Sequence, residues 1–276
     1  MTAQANSLFS LEGRVAVVIG ASGAIGRGLA HGVGSAGARV ALVARRPEPL
    51  AELADTLRAE GIEADAWPAD ALDQARLTEV RDEIVARWGS IDILLNAAGG
   101  NMPAATLADD ASPFAVDLGA YRDVVELNLL GTVAPVNAFG PALAESPSGD
   151  SSIVNISSMA AAHAMTRVGG YGAAKAAVES LTRWLAVELA RRATGIRVNA
   201  IAPGFLVGEQ NRALILNPDG TPTERGRTII ANTPLGRFGE ASELVSTVVW
   251  LCSPGARFVT GIVVPVDGGF SAFSGV

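Results

Sequence analysis

Three side chains at fixed spacing could together move a proton to or from a carbonyl oxygen. Tyr171 and Lys175 are four residues apart, and Ser158 precedes Tyr171 by thirteen residues. Residues four apart share one face of a helix, and a lysine ammonium beside a phenol lowers the pKa of that phenol. A serine hydroxyl alongside would give the same substrate oxygen a second hydrogen bond. Singly, these residues are more often packing, a solvated charge and a strand end, so the prediction depends on their joint spacing.

The elements that would position these side chains alternate along the chain. Short β-branched runs predict strands at residues 15–19, 39–43, 62–66, 91–95, 152–156, 196–200 and 262–266. Longer helical patterns predict helices at residues 25–36, 49–60, 74–88, 121–139, 171–192 and 243–252. This alternation predicts an α/β fold, a Rossmann-like, doubly wound parallel sheet of about seven strands with helices on both faces.

We expect one domain over residues 11–276, preceded by a flexible arm over residues 1–10. Residues 204–234 contain glycines and prolines after Gly204, among them Gly208, Pro218, Gly220, Pro222 and Pro234. A loop this long in a compact domain is typically a functional lid, here a substrate lid. The alternative is a plain surface excursion.

The composition argues against several classes of function. The chain has 276 residues and a net charge of −7, whereas a nucleic-acid partner would require a basic face. The N-terminal sequence shows neither a signal peptide nor a membrane span, so we expect a cytoplasmic protein. Cys252 is the only cysteine, which precludes an intrachain disulfide, and its apolar surroundings predict a small buried side chain. We predict no metal site.

A glycine-rich turn follows the first predicted strand and opens the first helix. Glycines there let the backbone approach a pyrophosphate, and the helix N-terminus offers free N–H groups and a positive dipole end. The run could be an ordinary tight turn, but its place after the first strand favours a dinucleotide site. The predicted contacts are Gly20, Ser22, Gly23, Ala24, Ile25 and Gly26.

The ends of the next strands indicate which dinucleotide would bind. Arg45 and Arg46 follow the second strand without an acidic residue, and two guanidinium groups suit the 2′-phosphate of NADP. They could also be solvated charges, so NADP is favoured while NAD stays open. Asp70 could accept from the adenine amino group or cap the next helix. The run after the fourth strand would let the nicotinamide half pass close to the backbone, and it consists of Asn96, Ala97, Ala98 and Gly99.

Together these motifs resemble the short-chain dehydrogenase/reductase family over essentially the whole chain from Leu11 onward. The resemblance rests on the Ser158, Tyr171 and Lys175 spacing, on the run at 96–99, and on Pro203 with the glycine after it. It implies an NAD(P)-dependent oxidoreductase that moves a hydride between the nicotinamide and a secondary alcohol or ketone. It also implies a homotetramer or homodimer. It adds a fourth catalytic residue, Asn128, and cofactor contacts at Ala71, Tyr171, Lys175, Pro203, Gly204 and Val207.

The sequence departs from the family pattern at three positions. Ile19 stands where the family usually has a threonine, and Ala24 stands where it has its second glycine. Gly208 replaces the threonine that normally holds the nicotinamide carboxamide, so we expect that contact from the backbone near Val207.

Within the family, several segments resemble bacterial D-mannonate oxidoreductases of the short-chain type, which interconvert D-mannonate and D-fructuronate. These segments are residues 99–101, 209–214, 217–225, 233–239 and the tail 266–276. A sugar acid needs a cation for its carboxylate, and the resemblance makes Arg212 the candidate. The other predicted substrate contacts are Asn101, His163 and Arg167 for a hydroxyl or carboxylate, and Ser158 and Tyr171 for the reacting oxygen.

Two alternatives stay open at this point. The small-molecule substrate could be another polar ketone, such as a keto-gluconate or a 3-oxoacyl thioester. The protein could also be a dinucleotide-binding sensor without turnover, although such proteins usually lack the tyrosine or the lysine, and both are present here. His163 and Arg167 could be ordinary polar loop residues.

Overall fold

The structure is a computed structural model that describes residues 7–108, 110–208 and 211–275. Within these residues, seven strands form one sheet in the order β3-β2-β1-β4-β5-β6-β7, and every neighbouring pair is parallel. The strands are β1 (Val15–Ile19), β2 (Arg39–Ala44), β3 (Ala64–Pro68), β4 (Ile93–Asn96), β5 (Ser151–Ile156), β6 (Ile196–Pro203) and β7 (Val263–Val266). The predicted doubly wound α/β fold is confirmed.

Helices cover both faces of this sheet. They are α1 (Ala24–Ser35), α2 (Pro47–Ala59), α3 (Gln74–Trp88), α4 (Leu118–Val125), α5 (Gly131–Ala144), α6 (Gly169–Arg191), α7 (Arg212–Ile215), α8 (Glu224–Ala231) and α9 (Val245–Cys252). All five residues of β1 are buried, because side chains that alternate across a central strand meet helices on either face. Ala16 and Val18 join one apolar core, while Val17 and Ile19 join the other.

The strand order places a switch point between β1 and β4. The chain runs outward from β1 through β2 to β3, and then returns to pair β4 with the other side of β1. Ile19 and Asn96, the last residues of the two strands, are partners in this pairing. In sheets of this kind, ligands bind outside the carboxyl ends of the strands at the switch point.

Two predicted elements differ in the structure. The helix predicted at 121–139 is α4 and α5 joined by a π-helical turn over Glu126–Leu130. The segment 204–234, predicted as a loop, contains the short helices α7 and α8. A turn joins them, in which Asn217 N–H donates to Thr221 O at 2.8 Å. Gly226 lies within α8, and the prolines of the segment lie outside both helices, so they do not prevent helix formation.

Residues 118–144 form the one described helical stretch that is long and apolar enough to cross a membrane by length and composition. Half of that stretch is buried inside the fold, and Ala138, Phe139 and Leu143 belong to the apolar core. A buried core helix also meets these criteria of length and composition.

The remaining structural expectations concern Cys252 and the N-terminal arm. Cys252 is 2% exposed, as predicted, and burial raises the pKa of its thiol to about 12. Residues 1–6 of the predicted arm lie outside the described residues, and the arm stays a prediction.

Candidate active site

The glycine-rich turn lies at the switch point and packs tightly on β4. Gly20 has φ of +79°, and a Cβ there would lie 2.6 Å from Ala98 N. A Cβ on Gly26 would collide with Gly20 O. Both positions therefore require glycine, one for the left-handed backbone and both for the close approach.

This turn leads directly into the N-terminus of α1. Gly23 is the N-cap of the helix, and no side chain caps its first turn. The N–H groups of a first helical turn have no carbonyl partner within the helix, and Gly23 and Ala24 are exposed. Free donors, a positive dipole end and a backbone without side chains fit a pyrophosphate.

Arg45 and Arg46 lie at the carboxyl end of β2, and both side chains are exposed. Arg45 Nη1 is 3.9 Å from Asp70 Oδ2. Asp70 Oδ1 accepts from Leu72 N–H at 3.0 Å, so Asp70 closes the turn after β3. The helix-cap alternative for Asp70 is wrong, because Asp73 caps α3 by accepting from Arg76 N–H at 3.0 Å.

Asn96 faces the interior of the sheet. Its Nδ2 donates to Asn155 Oδ1 at 2.9 Å, and Asn155 Nδ2 donates to Thr182 Oγ1 at 2.9 Å. The side chain, 1% exposed, thus links β4 to β5 and α6 rather than reaching the cofactor edge. The predicted cofactor contact at Asn96 concerns its backbone and stays a prediction. Ala97, Ala98 and Gly99, which follow, are partly exposed.

Tyr171 and Lys175 lie on α6 and meet Ser158 at the carboxyl end of β5. Lys175 Nζ is 5.8 Å from the centre of the Tyr171 ring and donates to Ile156 O at 2.7 Å. Ser158 Oγ accepts from Ala160 N–H at 3.2 Å, which caps the short 3₁₀ turn Met159–Ala161. The three predicted side chains therefore share one corner of the fold.

The pKa of Tyr171 differs from the expectation. Burial raises the pKa of its phenol, and the neighbouring Ser158 hydroxyl opposes that rise. Burial also lowers the pKa of Lys175 to about 8. The protein alone therefore does not lower the tyrosine pKa, because desolvation outweighs the hydrogen bond with Ser158. A protonated Tyr171 is a proton donor at neutral pH.

Asn128 lies in the π-helical turn and holds the backbone that follows β4. Its Oδ1 accepts from Gly100 N–H at 3.0 Å, and its Nδ2 donates to Gly100 O at 2.8 Å. A Cβ built on Gly99 would lie 2.7 Å from Asn128 Oδ1 and 3.1 Å from Lys175 Nζ. Asn128 Oδ1 and Lys175 Nζ therefore both lie beside Gly99, and a side chain at position 99 would clash with Asn128.

Hydrogen bonds join the segment after Gly100 to the loop between Ser158 and Tyr171. Leu107 N–H donates to Arg167 O at 3.0 Å, and Arg167 Nε donates to Leu107 O at 2.6 Å. Arg167 has φ of +74°, a left-handed conformation that is uncommon for a residue with a Cβ. These two bonds hold Arg167 beside Leu107, and its predicted substrate contact stays a prediction. His163 lies in the same loop and is partly exposed.

The segment 204–234 follows the carboxyl end of β6. Arg212 begins α7, and its side chain is exposed, with no ion pair to any described residue. Val207 is partly buried, and Gly204 could not carry a Cβ, which would lie 2.6 Å from Asp267 Cα. The lid stays a prediction.

Sequence reasoning missed Asn211. Its Oδ1 accepts from Gly208 N–H at 2.8 Å, and its Nδ2 donates to Leu206 O at 2.8 Å. Asn211 thereby shapes the backbone around Val207, where the family threonine is replaced by Gly208. An asparagine three residues after a glycine in a loop was the available signal, since Asn side chains often bond nearby backbone.

No group of three or more His, Cys, Asp or Glu side chains suited to a metal ion occurs in the described part of the chain. The assembled features therefore consist of a dinucleotide cradle at a switch point and a Ser–Tyr–Lys–Asn cluster beside it. These features define a Rossmann-type NAD(P)-binding oxidoreductase.

Comparison with known proteins agrees with this class. A family model described as enoyl-(acyl carrier protein) reductase matches residues 20–271. An uncharacterized oxidoreductase of Bacillus subtilis is 40% identical over 278 residues, covering 97% of this chain and 98% of the relative. The protein belongs to the short-chain dehydrogenase/reductase family.

Solved structures show the same fold. A crystal structure from Haemophilus influenza, described as a candidate D-mannonate oxidoreductase with bound NAD, is 38% identical with a TM-score of 0.89. The match covers 99% of this chain and 100% of that one. A gluconate 5-dehydrogenase of Burkholderia cenocepacia, in complex with NADP and tartrate, is 32% identical with a TM-score of 0.86, covering 98% and 99% of the two chains.

Proposed function

We propose that the protein interconverts a sugar-acid ketone and its secondary alcohol, with D-fructuronate and D-mannonate as the substrate pair. The observation that carries the proposal is the cluster of Tyr171, Lys175, Ser158 and Asn128 beside the dinucleotide cradle. The 38% identity to the candidate D-mannonate oxidoreductase supports this particular substrate.

The cradle residues would hold the cofactor along the switch point. The turn over residues 20–26 would hold the pyrophosphate, and the backbone at 97–99 and 203–207 would border the nicotinamide. We propose NADP as the preferred cofactor, because Arg45 and Arg46 are exposed at the end of β2 and could reach a 2′-phosphate. The bound nicotinamide supplies the hydride in reduction and accepts it in oxidation.

In the reducing direction, Tyr171 donates its phenolic proton to the substrate oxygen as the carbonyl carbon is reduced. Ser158 donates a hydrogen bond to the same oxygen, which stabilises the negative charge that develops there. Lys175 then returns a proton to Tyr171, and a pKa of about 8 leaves its ammonium able to do so near neutral pH. Asn128 Oδ1 and Lys175 Nζ both lie beside Gly99, which supports the predicted role of Asn128 in replacing the proton of Lys175 through a water molecule.

Arg212 is the proposed partner of the substrate carboxylate. It lies on α7 at the start of the proposed lid, and no described acidic side chain neutralises it. Arg212→Ala should raise KM for an acid far more than for a neutral polyol, whereas equal effects on the two would contradict this role. His163 remains a further predicted substrate contact.

A keto-gluconate is the second candidate substrate. The gluconate 5-dehydrogenase shares the fold over 98% of this chain, and its substrate is a sugar acid as well. Both candidates require a carboxylate site and several hydroxyl contacts, so they would use the same residues of this protein.

We also propose that the protein is a cytoplasmic homotetramer or homodimer. Trp184 and Val187, on the outer face of α6, are each 57% exposed. Large apolar side chains exposed together are typical of a contact between subunits.

The test is the loss of nicotinamide absorbance with purified protein, D-fructuronate, and NADPH or NADH in parallel. Consumption of NADPH or NADH with D-fructuronate that disappears in Tyr171→Phe supports both the reaction and the substrate. The cofactor that is consumed at the higher rate decides between NADP and NAD. Consumption with 5-keto-gluconate but not with D-fructuronate would favour the second candidate. If neither D-fructuronate nor 5-keto-gluconate leads to consumption of NADPH or NADH, the sugar-acid proposal is contradicted.

A further inference from the structure

A carboxylate on α6 is bonded to the residue that precedes Ser158. Glu179 Oε1 accepts a hydrogen bond from Ser157 Oγ at 3.0 Å, and its Oε2 accepts from Arg183 Nη2 at 3.0 Å. The Glu179 side chain is 12% exposed, while that of Arg183 is 57% exposed. A carboxylate with so little hydration is unfavourable at a position that requires only packing. The inward bond to Ser157 therefore calls for an explanation.

Glu179 lies on the face of α6 that carries the reacting side chains. It follows Lys175 by four residues and Tyr171 by eight, and residues at this spacing share one face of a helix. Lys175 Nζ donates to Ile156 O at 2.7 Å. The bond between Ser157 and Glu179 comes one residue further along the chain. The two residues before the proposed catalytic serine are therefore both tied to α6 by ionisable side chains.

The residues after Ser158 are also packed against α6. Ser158 Oγ accepts from Ala160 N–H at 3.2 Å, and a Cβ on Gly172 would lie 2.9 Å from Ala160 O. Gly172 is next to Tyr171 in the helix, so the 3₁₀ turn and α6 approach closely at this point. Ser158 is thus held between two contacts with that helix, one on either side along the chain.

The hydroxyl of Ser158 depends on a fixed direction for its chemistry. Its oxygen already accepts from a backbone N–H, so its one proton can be donated to the phenol or to the reacting oxygen. A hydrogen bond between Ser158 and Tyr171 lowers the pKa of the phenol, against the effect of burial. Hydrogen bonds weaken steeply as their angle closes. A small shift of the Ser158 backbone would therefore weaken its bonds to both groups.

We propose that Glu179 is a positioning residue, which fixes Ser157 and thereby directs the Ser158 hydroxyl at the reacting oxygen. This inference rests on the proposed function and deepens it. Glu179 acts through Ser157 and not on the substrate itself. Misplacement of a reacting group by about 1 Å can lower a rate by about 100-fold. Loss of the bond should lower kcat by about 10-fold and leave KM within about two-fold, because the Ser158 bond strengthens as charge develops on the substrate oxygen.

The test compares variants on the two sides of this bond in the reduction of D-fructuronate. Glu179→Leu removes the acceptor and Ser157→Ala removes the donor, so both should show the same fall in kcat. Glu179→Gln should stay within about three-fold of the wild type, because either end of an amide can bond a hydroxyl. Glu188→Leu is the matched control and should leave kcat unchanged, since Glu188 is paired with Arg191 and Arg192 of the same helix. A fall in Glu179→Leu that Ser157→Ala does not reproduce would overturn the proposal.

A double substitution separates positioning from a general effect on the fold. Ser158→Ala lacks the hydroxyl to be positioned, so the addition of Glu179→Leu should cause no further fall in kcat. The dissociation constant of NADPH, measured by fluorescence, should be unchanged in Glu179→Leu. A second fall in the double variant as large as that in Glu179→Leu alone would show a general structural effect and exclude the positioning role.

The proposal can fail separately from the proposed function. If D-fructuronate is not reduced, the same variants would be compared by ultraviolet titration of the Tyr171 phenol in a Tyr121→Phe background, which requires no substrate. Ser158→Ala should raise the pKa of Tyr171, because the hydrogen bond that lowers it is lost. Glu179→Leu should raise this pKa in the same direction, and Glu188→Leu should leave it unchanged. An unchanged Tyr171 pKa in Glu179→Leu would overturn the role of Glu179.

Discussion

Asn128 forms two hydrogen bonds with a single residue, Gly100, by accepting from its N–H at 3.0 Å and donating to its carbonyl at 2.8 Å. The Asn128 amide thereby supplies the two hydrogen bonds that a neighbouring strand would otherwise give to the backbone just beyond β4. The π-helical turn turns Asn128 inward, where it is fully buried. The position of Gly99, which lies beside Lys175 Nζ, depends on this pair.

Asn128→Ala should therefore reduce both stability and turnover. The two polar groups of Gly100 would lose their partner, and each unsatisfied group costs about 1–3 kcal/mol. We expect a lower Tm and a fall in kcat of about 10-fold or more, because the proposed replacement of the Lys175 proton through Asn128 would be lost. Thermal unfolding and steady-state kinetics check this. Asn137→Ala, an exposed amide, should change neither, and a variant with normal kcat but lower Tm would make Asn128 structural only.

The phenol of Tyr171 should titrate above the ordinary tyrosine value of 10.0, because burial raises its pKa. The chain contains two tyrosines, and the Tyr121 ring packs against Gly170. Tyr121→Phe keeps that ring and leaves Tyr171 as the only phenol. An ultraviolet titration of this variant would then report Tyr171 alone. Tyrosinate that forms below pH 10.0 in the protein without cofactor would contradict the prediction.

Lys175 is the only lysine in the sequence. Protein labelled with carbon-13 at lysine should therefore give a single set of side-chain resonances. We expect the Cε resonance to titrate near pH 8 rather than at 10.5, because burial disfavours the ammonium. A midpoint near 10.5 would show that the group remains hydrated.

The lowered pKa of Lys175 also predicts how the free energy of unfolding depends on pH. Between about 8 and 10.5 the unfolded chain keeps the lysine proton while the folded protein releases it. The unfolded state then binds more protons, so the free energy of unfolding rises with pH across this window. The full change attributable to this group is about 3 kcal/mol. Denaturant unfolding of the wild type and Lys175→Met checks this, because the variant should lack that rise.

Much of this site could be predicted from local sequence. The strand at 15–19 and the helix at 74–88 have the predicted bounds, since their apolar periodicity is strong. The spacing of Tyr171 and Lys175 fixes a common helix face before any tertiary contact is known. Gly20 was expected at a close approach, and it packs on Ala98.

Other features depend on contacts distant in sequence. The π-helical turn at Asn128 follows from its bonds to Gly100, 28 residues away, and no helical periodicity indicates it. Arg167 Nε donates to the carbonyl of Leu107, which is 60 residues away in sequence. The effect of burial on the Tyr171 pKa requires knowledge of what surrounds the ring. These properties belong to the packing of separate elements and could not be predicted from local pattern.

The two arginines after β2 should set the cofactor preference. Arg45→Ala with Arg46→Ala should raise KM for NADPH by about 10-fold or more and leave KM for NADH almost unchanged, because only NADPH carries the 2′-phosphate. Steady-state kinetics with both cofactors checks this. Arg191→Ala, an exposed arginine at the end of α6, is the control. Equal effects on the two cofactors would make these arginines ordinary surface charges.

Asp150 should be important for stability, although it lies at the amino end of β5, opposite the proposed site. Its Oδ1 accepts from Arg197 Nε and its Oδ2 from Arg257 Nε, both at 3.1 Å. Arg14 Nη2 lies 3.7 Å from Oδ2. The Asp150 side chain is 12% exposed and that of Arg197 is 8% exposed, so removal of the carboxylate leaves a nearly buried charge without its partner.

Asp150→Ala should lower the free energy of unfolding by about 3 kcal/mol, as is typical when one member of a buried ion pair is removed. Asp65→Ala is the matched control. Asp65 also pairs with two arginines, Arg58 and Arg87, but it is 31% exposed and its partners are more exposed still. Exposed pairs contribute about 0–1 kcal/mol. Because Asp150 holds the amino ends of β5 and β6 while the reacting groups lie at the carboxyl ends, kcat at a temperature well below Tm should be unchanged. Equal losses of stability in the two variants would show that burial does not determine the strength of these ion pairs.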